Sequence, residues 1–110
     1  MNIKEERSGD VLVCALEGEV NISTSPELRK IFEGIIKNDE KKVLIDFSNV
    51  GYIDSSGLAT LIEMLQRLKK SGGKLSFCSM SEKVKNVFEI TKLDKLFAIF
   101  ESREEALKNL

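Results

Sequence analysis

Histidine and tryptophan are absent from this chain of 110 residues, and proline occurs once. The lack of histidine removes the side chain that most often serves as a general base and as a metal ligand. No Ser–His or Cys–His nucleophile can therefore form. A zinc site would depend on carboxylates and two cysteines, so we expect no metal site, no cofactor and no catalytic site, and the chain is not expected to be an enzyme.

Cysteine is also scarce. Cys14 and Cys78 are far apart in the sequence, and each lies in an apolar run of strand length. Isolated cysteines in such runs are usually buried, and disulfides are rare in cytoplasmic proteins. We expect two buried, reduced thiols.

Long apolar runs and an excess of one charge are missing as well. The apolar runs are too short to span a membrane, and the first ten residues, MNIKEERSGD, lack the apolar core of a signal peptide. Seventeen basic and eighteen acidic residues give a net charge of −1, whereas nucleic-acid-binding domains usually carry a basic excess. We expect one cytoplasmic domain over residues 1–110, with no membrane span and no direct contact with nucleic acid.

One local cluster departs from this charge balance, namely Arg67, Lys69, Lys70 and Lys74. Cations are favoured near helix C-termini, so the end of a helix is the simpler explanation of the cluster. Docking of an acidic partner is the alternative.

Strand-like apolar runs alternate with amphipathic helical patterns along the chain. Ile3 to Arg7 and Val11 to Glu17 are predicted to form a hairpin across Gly9-Asp10. Further strands are predicted at Val43 to Phe47, Lys74 to Ser79 and Phe97 to Phe100, and helices are predicted to begin at the N-caps Ser25, Ser55, Ser81 and Ser102. This order predicts an α/β domain with a mixed, mostly parallel sheet stacked with about four helices.

The segment VLIDFSNVGYIDSSGLATLIEML, residues 43–65, runs from a strand through two serines into a helix. We predict that Ser55 caps this helix, accepting from the N–H of Leu58, and that Ser56 at the first helical position keeps a free hydroxyl. A phosphate on Ser56 would be held by the unpaired N–H groups and the dipole of the helix start. On local chemistry alone, simple capping is the alternative.

The residues after the serines have two interpretations each. Gly57 either allows close approach of a kinase or eases entry of the chain into the helix. Met64 lies off the apolar stripe that begins at Leu58, so with Ala59 and Thr60 it belongs either to a docking surface or to the rim of the core. The predicted stripe consists of Leu58, Leu61, Ile62, Leu65 and Leu68.

The motif IDSSGLATL, preceded by VLIDFSNV, occurs together with LEGEVNISTSPELRK, GGKLSFCSMSEKVKNVFEITKLDKLFAIF and the final SREEALKNL. In this order the segments resemble the anti-sigma-factor antagonists of the STAS domain family over nearly the whole chain. The resemblance implies a small mixed sheet stacked with helices. It also implies phosphorylation of the second serine of the pair, Ser56.

The resemblance further implies a cycle of changing partners. The unphosphorylated protein would bind an anti-sigma factor that is also a serine protein kinase, and so release the sigma factor. Phosphorylation of Ser56 would break this complex, and a serine phosphatase of the PP2C type would restore it. Asp54, Ser55, Gly57 and Leu58 would support the site. A stand-alone STAS module of another signalling or lipid-transport complex is the alternative.

Asn21 departs from the family pattern, which usually has an acid soon after a Gly-Glu pair near the serine site. Here Gly18-Glu19-Val20 is followed by Asn21. Asparagine keeps an acceptor but lacks the charge that would repel a nearby phosphate. It is predicted to support the partner site or to act only as a turn residue.

Asp46 ends an apolar strand run, as the phosphoacceptor of a receiver domain does. The early pair of acids that would hold magnesium in such a domain is missing, which argues against this alternative. The sequence also shows no apolar pocket that would raise a carboxyl pKa, which argues against a catalytic carboxylate pair of Asp46 and Asp54.

Overall fold

A five-stranded sheet forms the centre of the computed structural model, which describes residues 1–110. The strands are β1 (Asn2–Ser8), β2 (Val11–Val20), β3 (Lys42–Ile53), β4 (Lys74–Cys78) and β5 (Ala98–Phe100). They lie side by side in chain order. β1 is antiparallel to β2, and the three remaining neighbouring pairs are parallel. The predicted hairpin and the mixed, mostly parallel sheet are confirmed.

Four helices accompany the sheet: α1 (Ser25–Lys37), α2 (Ser55–Lys70), α3 (Glu82–Ile90) and α4 (Arg103–Lys108). Each helix follows one of the parallel strands, so all four begin at the carboxyl edge of the sheet. In α/β folds, binding sites lie at this edge. None of them combines the length and apolar content needed to cross a bilayer.

Both faces of the sheet are covered, and β3 shows how its sequence achieves this. Val43, Ile45 and Phe47 belong to a cluster of 22 buried residues that includes the inward faces of α1, α2 and α3. Leu44, on the opposite face, packs in a cluster of five buried residues with Ala106 of α4. Successive side chains of a strand point to opposite faces, so a strand covered on both sides is apolar at consecutive positions.

Cys14 and Cys78 are buried free thiols, as predicted. Cys14 lies in the larger cluster and Cys78 in the smaller one. Burial, with smaller contributions from Glu5 and Glu40, raises the pKa of Cys14 to about 12. At neutral pH this thiol is therefore protonated.

Asp46 fastens α4 to the sheet. Its Oδ2 accepts from Arg103 Nη2 at 2.7 Å, and its Oδ1 accepts from the N–H of Ser48 at 2.9 Å. Burial would raise the pKa of Asp46, but the hydrogen bonds from Ser48 and Arg103 outweigh burial and lower it. Because both oxygens are engaged in these structural contacts, Asp46 is not arranged as a phosphoacceptor.

Candidate functional site

The candidate site lies at the carboxyl edge of β2 and β3. Val20 pairs with Ile53 in the parallel ladder, and the N–H of Asp54 donates to the carbonyl of Val20 at 3.0 Å. After this point β2 continues into the loop 21–24, while β3 passes through Asp54 directly into α2. The register of the two strands therefore places the loop beside the start of α2.

Asp54 is the N-cap of α2. Its backbone is extended, and its Oδ1 accepts from the N–H of Gly57 at 3.0 Å. The prediction that Ser55 is the cap was wrong: Ser55 is the first helical residue and Ser56 is the second. Aspartate and serine cap helices about equally well, so the run Asp54-Ser55 offers two candidates. The bond from Asp54 to the end of β2 holds Asp54 just outside the helix.

The hydroxyl groups of both serines are free, since neither makes a hydrogen bond within the protein. Ser55 is exposed and Ser56 is half-buried. Their N–H groups lie in the first turn of α2, where no earlier helical carbonyl is available to accept. The start of α2 thus offers two free hydroxyls beside N–H groups that have no helical acceptor, and the helix dipole favours an anion there.

Asp54 also joins this helix start to the neighbouring loop. Its Oδ2 accepts from the N–H of Ile22 at 3.2 Å, and the Ile22 side chain is 72% exposed. Sequence reasoning missed Ile22. The available signal was an isoleucine within a polar turn, between Asn21 and Ser23, outside any strand or helix pattern.

Asn21 builds the loop from within. Its Oδ1 accepts from the N–H groups of Ser23 and Thr24 at 2.9 and 3.1 Å, and its carbonyl accepts from the Ser25 hydroxyl at 2.7 Å. The structure therefore favours the turn-residue interpretation of Asn21. Ser25 was wrongly predicted as the cap of α1: Thr24 holds that position without a side-chain capping bond.

Gly57 is required by an internal contact. A Cβ at this position would lie 2.6 Å from Val20 Cγ1 and 2.8 Å from the Val20 carbonyl oxygen. Close packing of α2 against the end of β2 is therefore sufficient to explain the glycine. Leu58 is also buried, at 7% exposure, and packs in the larger core cluster behind the site.

Met64 lies in the core at 1% exposure, so its predicted place on a docking surface or at the core rim was wrong. It stands three residues after Leu61 and four before Leu68, so it shares their face of α2. Thr60 is also buried, and its hydroxyl donates to the Ser56 carbonyl at 3.0 Å. The residues that remain accessible around the serines form what we call the serine surface: Ile22, Ser55, Ser56 and Ala59.

Comparisons with known proteins agree with this architecture. The family model described as STAS domain matches residues 2–106. The anti-sigma-B factor antagonist of Staphylococcus aureus is 26% identical over 104 residues, which are 94% of this chain and 96% of that protein. The crystal structure of TM1081 from Thermotoga maritima is 27% identical, with a TM-score of 0.92 over 97% of this chain and 92% of that one.

A more distant likeness concerns the fold alone. The Bacillus cell fate determinant SpoIIAA, solved in a phosphorylated form, is 19% identical, with a TM-score of 0.75 over 98% of each chain. Together with the match to the family model, these likenesses confirm the resemblance found in the sequence.

Proposed function

Because the chain belongs to the STAS domain family, we propose that it is an anti-sigma-factor antagonist controlled by phosphorylation of Ser56. In the unphosphorylated state it binds an anti-sigma factor that is also a serine kinase, and the sigma factor is released. The kinase then phosphorylates Ser56, and the complex dissociates. A PP2C-type phosphatase removes the phosphate and restores binding.

The observation that carries this proposal is the pair of free hydroxyls beside an exposed isoleucine. Ser55 and Ser56 make no internal hydrogen bond, and Ile22 is held next to them through Asp54. An apolar side chain supplies contact area for a partner, while a free hydroxyl supplies a point of modification. The name of the S. aureus relative and the phosphorylated form of SpoIIAA support the same interpretation.

The effect of a phosphate should fall on the interface rather than on the fold. The modification adds about −1.5 to −2 units of charge, and the first turn of a helix favours an anion. Helix α2 should therefore remain folded. A partner that covers Ile22 would instead have to bury the phosphate beside the carboxylate of Asp54, and burying unpaired charge is costly.

Phosphosite mapping tests the proposal directly. The kinase is first recovered by co-purification from the source organism with ATP present, and then used as a recombinant protein. We expect one phosphate on the wild type and on Ser55→Ala, and none on Ser56→Ala. The Ser55→Ala variant is a matched control because it removes an equally free hydroxyl one residue away.

Binding measurements complete the test. We expect Ser56→Ala to bind the kinase as the wild type does and Ser56→Asp to bind at least about tenfold more weakly, since about 1.4 kcal/mol corresponds to a factor of ten. Loss of binding by folded Ser56→Ala would refute the role given to this hydroxyl. Recovery of lipid-transport subunits without any kinase would favour the alternative STAS module.

A further inference from the structure

A groove lies at the end of the molecule opposite the serine surface. It lies at the β5 edge of the sheet, between the last turns of α2 and the two residues that follow α4, and encloses about 250 Å³. Its apolar lining consists of Leu65, Leu75, Leu96, Ala98, Phe100 and Leu110. Leu65 and Leu75 form a recessed floor at 5% exposure each, whereas Leu96 on the margin is 46% exposed.

Two basic side chains and no acidic side chain line this groove. Lys69 and Lys74 line it, and neither forms an ion pair, in contrast to Arg7, Lys85 and Arg103 elsewhere on the surface. Arg67 and Lys70, in the same last turns of α2, are also unpaired, but they line a separate hollow with Ile36 and Ser71. The sequence contains no acid between Glu63 and Glu82.

The helix dipole explains only part of this cluster. Cations near the C-terminus of α2 are stabilised by the dipole, which accounts for Lys69 and Lys70. Lys74 is the first residue of β4, outside the helix, yet it faces the same groove. The combination of unpaired cations and a recessed apolar floor therefore calls for a ligand that is both anionic and apolar.

We propose that this groove docks an extended acidic segment of a partner protein, with carboxylates over Lys69 and Lys74 and apolar side chains in the recess. β5 is the last strand of the sheet and pairs only with β4, so an extended segment can lie along its open edge. A flat lipid surface would not reach Leu65 and Leu75 on the recessed floor.

The position of the groove makes its use independent of the phosphorylation switch. Helix α2 has 16 residues, and about 1.5 Å of rise per residue separates its two ends by about 24 Å. The serines lie at the first end and Lys69 at the second. A segment bound in the groove therefore contacts residues other than those of the serine surface.

Nuclear magnetic resonance with ¹⁵N-labelled protein tests the proposal. The probe is a short synthetic peptide of alternating Glu and Leu, and the control peptide has Gln in place of Glu. We expect the Glu peptide to shift the amides of Leu75, Ala98 and Phe100 and to leave those of Ser55 and Ser56 unchanged. The Gln peptide should bind more weakly.

Charge reversal then tests the lysines. We expect Lys69→Glu combined with Lys74→Glu to weaken binding of the Glu peptide about tenfold, because each reversal replaces an attraction with a repulsion. Lys4→Glu combined with Lys30→Glu is the matched control, because these exposed, unpaired lysines lie away from the groove. The control variant should retain the affinity.

Three outcomes would overturn the proposal. The groove amides could remain unchanged with the Glu peptide, or the Gln peptide could bind equally well. Dodecanoate or phosphatidylglycerol vesicles could bind in its place, which would assign the groove to a small amphiphile or a lipid surface.

Discussion

The serines that open α3 and α4 differ from those that open α2. Ser81 accepts from the N–H of Val84 at 3.2 Å, and Ser102 accepts from the N–H of Glu105 at 3.1 Å. Both hydroxyls are therefore committed to capping. At α2 the carboxylate of Asp54 caps the helix, and the two serines behind it keep free hydroxyls.

This difference shows that the presence of a serine at a helix start does not determine whether its hydroxyl makes a capping hydrogen bond. The preceding residue determines this, because an acceptor at the N-cap position accepts the capping hydrogen bond and leaves the serine hydroxyl without one. Asp54 does so while its second oxygen holds the Ile22 loop. The helix start that keeps two free hydroxyls is thus also bonded to a neighbouring loop.

The largest effect on this comparison should come from Gly57→Ala. The added methyl group would overlap the side chain and carbonyl of Val20, and we expect a loss of about 2–3 kcal/mol in the free energy of unfolding. Gly34→Ala in α1 is the matched control, since a Cβ there meets nothing within 4 Å. It should stabilise the protein by up to about 1 kcal/mol. Urea denaturation measures both, and equal effects would disprove the packing role of Gly57.

Asp54→Ala should have the second largest effect. Removal of the cap and of the bond to Ile22 should cost about 1–2 kcal/mol in urea denaturation. Asp54→Asn can keep only one of the two accepted bonds, so we expect it to retain most of the stability. Faster hydrogen exchange at the Ile22 amide in this variant would identify the lost bond, whereas unchanged exchange in both variants would argue against the link.

Ser81→Ala follows, with an expected loss of about 1 kcal/mol, because the N–H of Val84 would lose its capping partner. Ser81→Asp should restore the lost stability, since aspartate caps as well as serine does. Thermal or urea unfolding would measure both. A neutral Ser81→Ala would mean that its hydroxyl is as dispensable as those at α2.

Ser55→Ala and Ser56→Ala should have the smallest effect. Neither variant loses an internal hydrogen bond, so we expect changes within about 0.5 kcal/mol. Urea denaturation of these two variants and of Ser81→Ala under the same conditions compares their free energies of unfolding directly. A loss near 1 kcal/mol in either variant would assign it a structural bond.

The order of strands and helices could be predicted from the sequence, because the strand and helix periodicities are distinct and the loops are short. It also located Ser81 and Ser102 as caps, because neither serine has another capping residue directly beside it. It misplaced the cap of α2, because local preference cannot rank Asp54 against Ser55. The deciding bond to Val20 joins residues that are distant in the chain.

Surface features were predictable only in part. Met64 was misassigned by treating the apolar stripe of α2 as narrower than the face it buries. The lysines of the groove were visible as a cluster, but their apolar floor was not. That floor combines Leu65 of α2 with Leu75 of β4, and only the fold brings them together.

The two cysteines can report separately on the opening of the two faces of the sheet. Cys78 is packed beneath the short helix α4, whereas Cys14 lies among the three longer helices on the other side of the sheet. Detachment of α4 alone would expose Cys78 to a thiol reagent and leave Cys14 shielded. The order in which the two thiols are alkylated therefore records which layer of the molecule opens first.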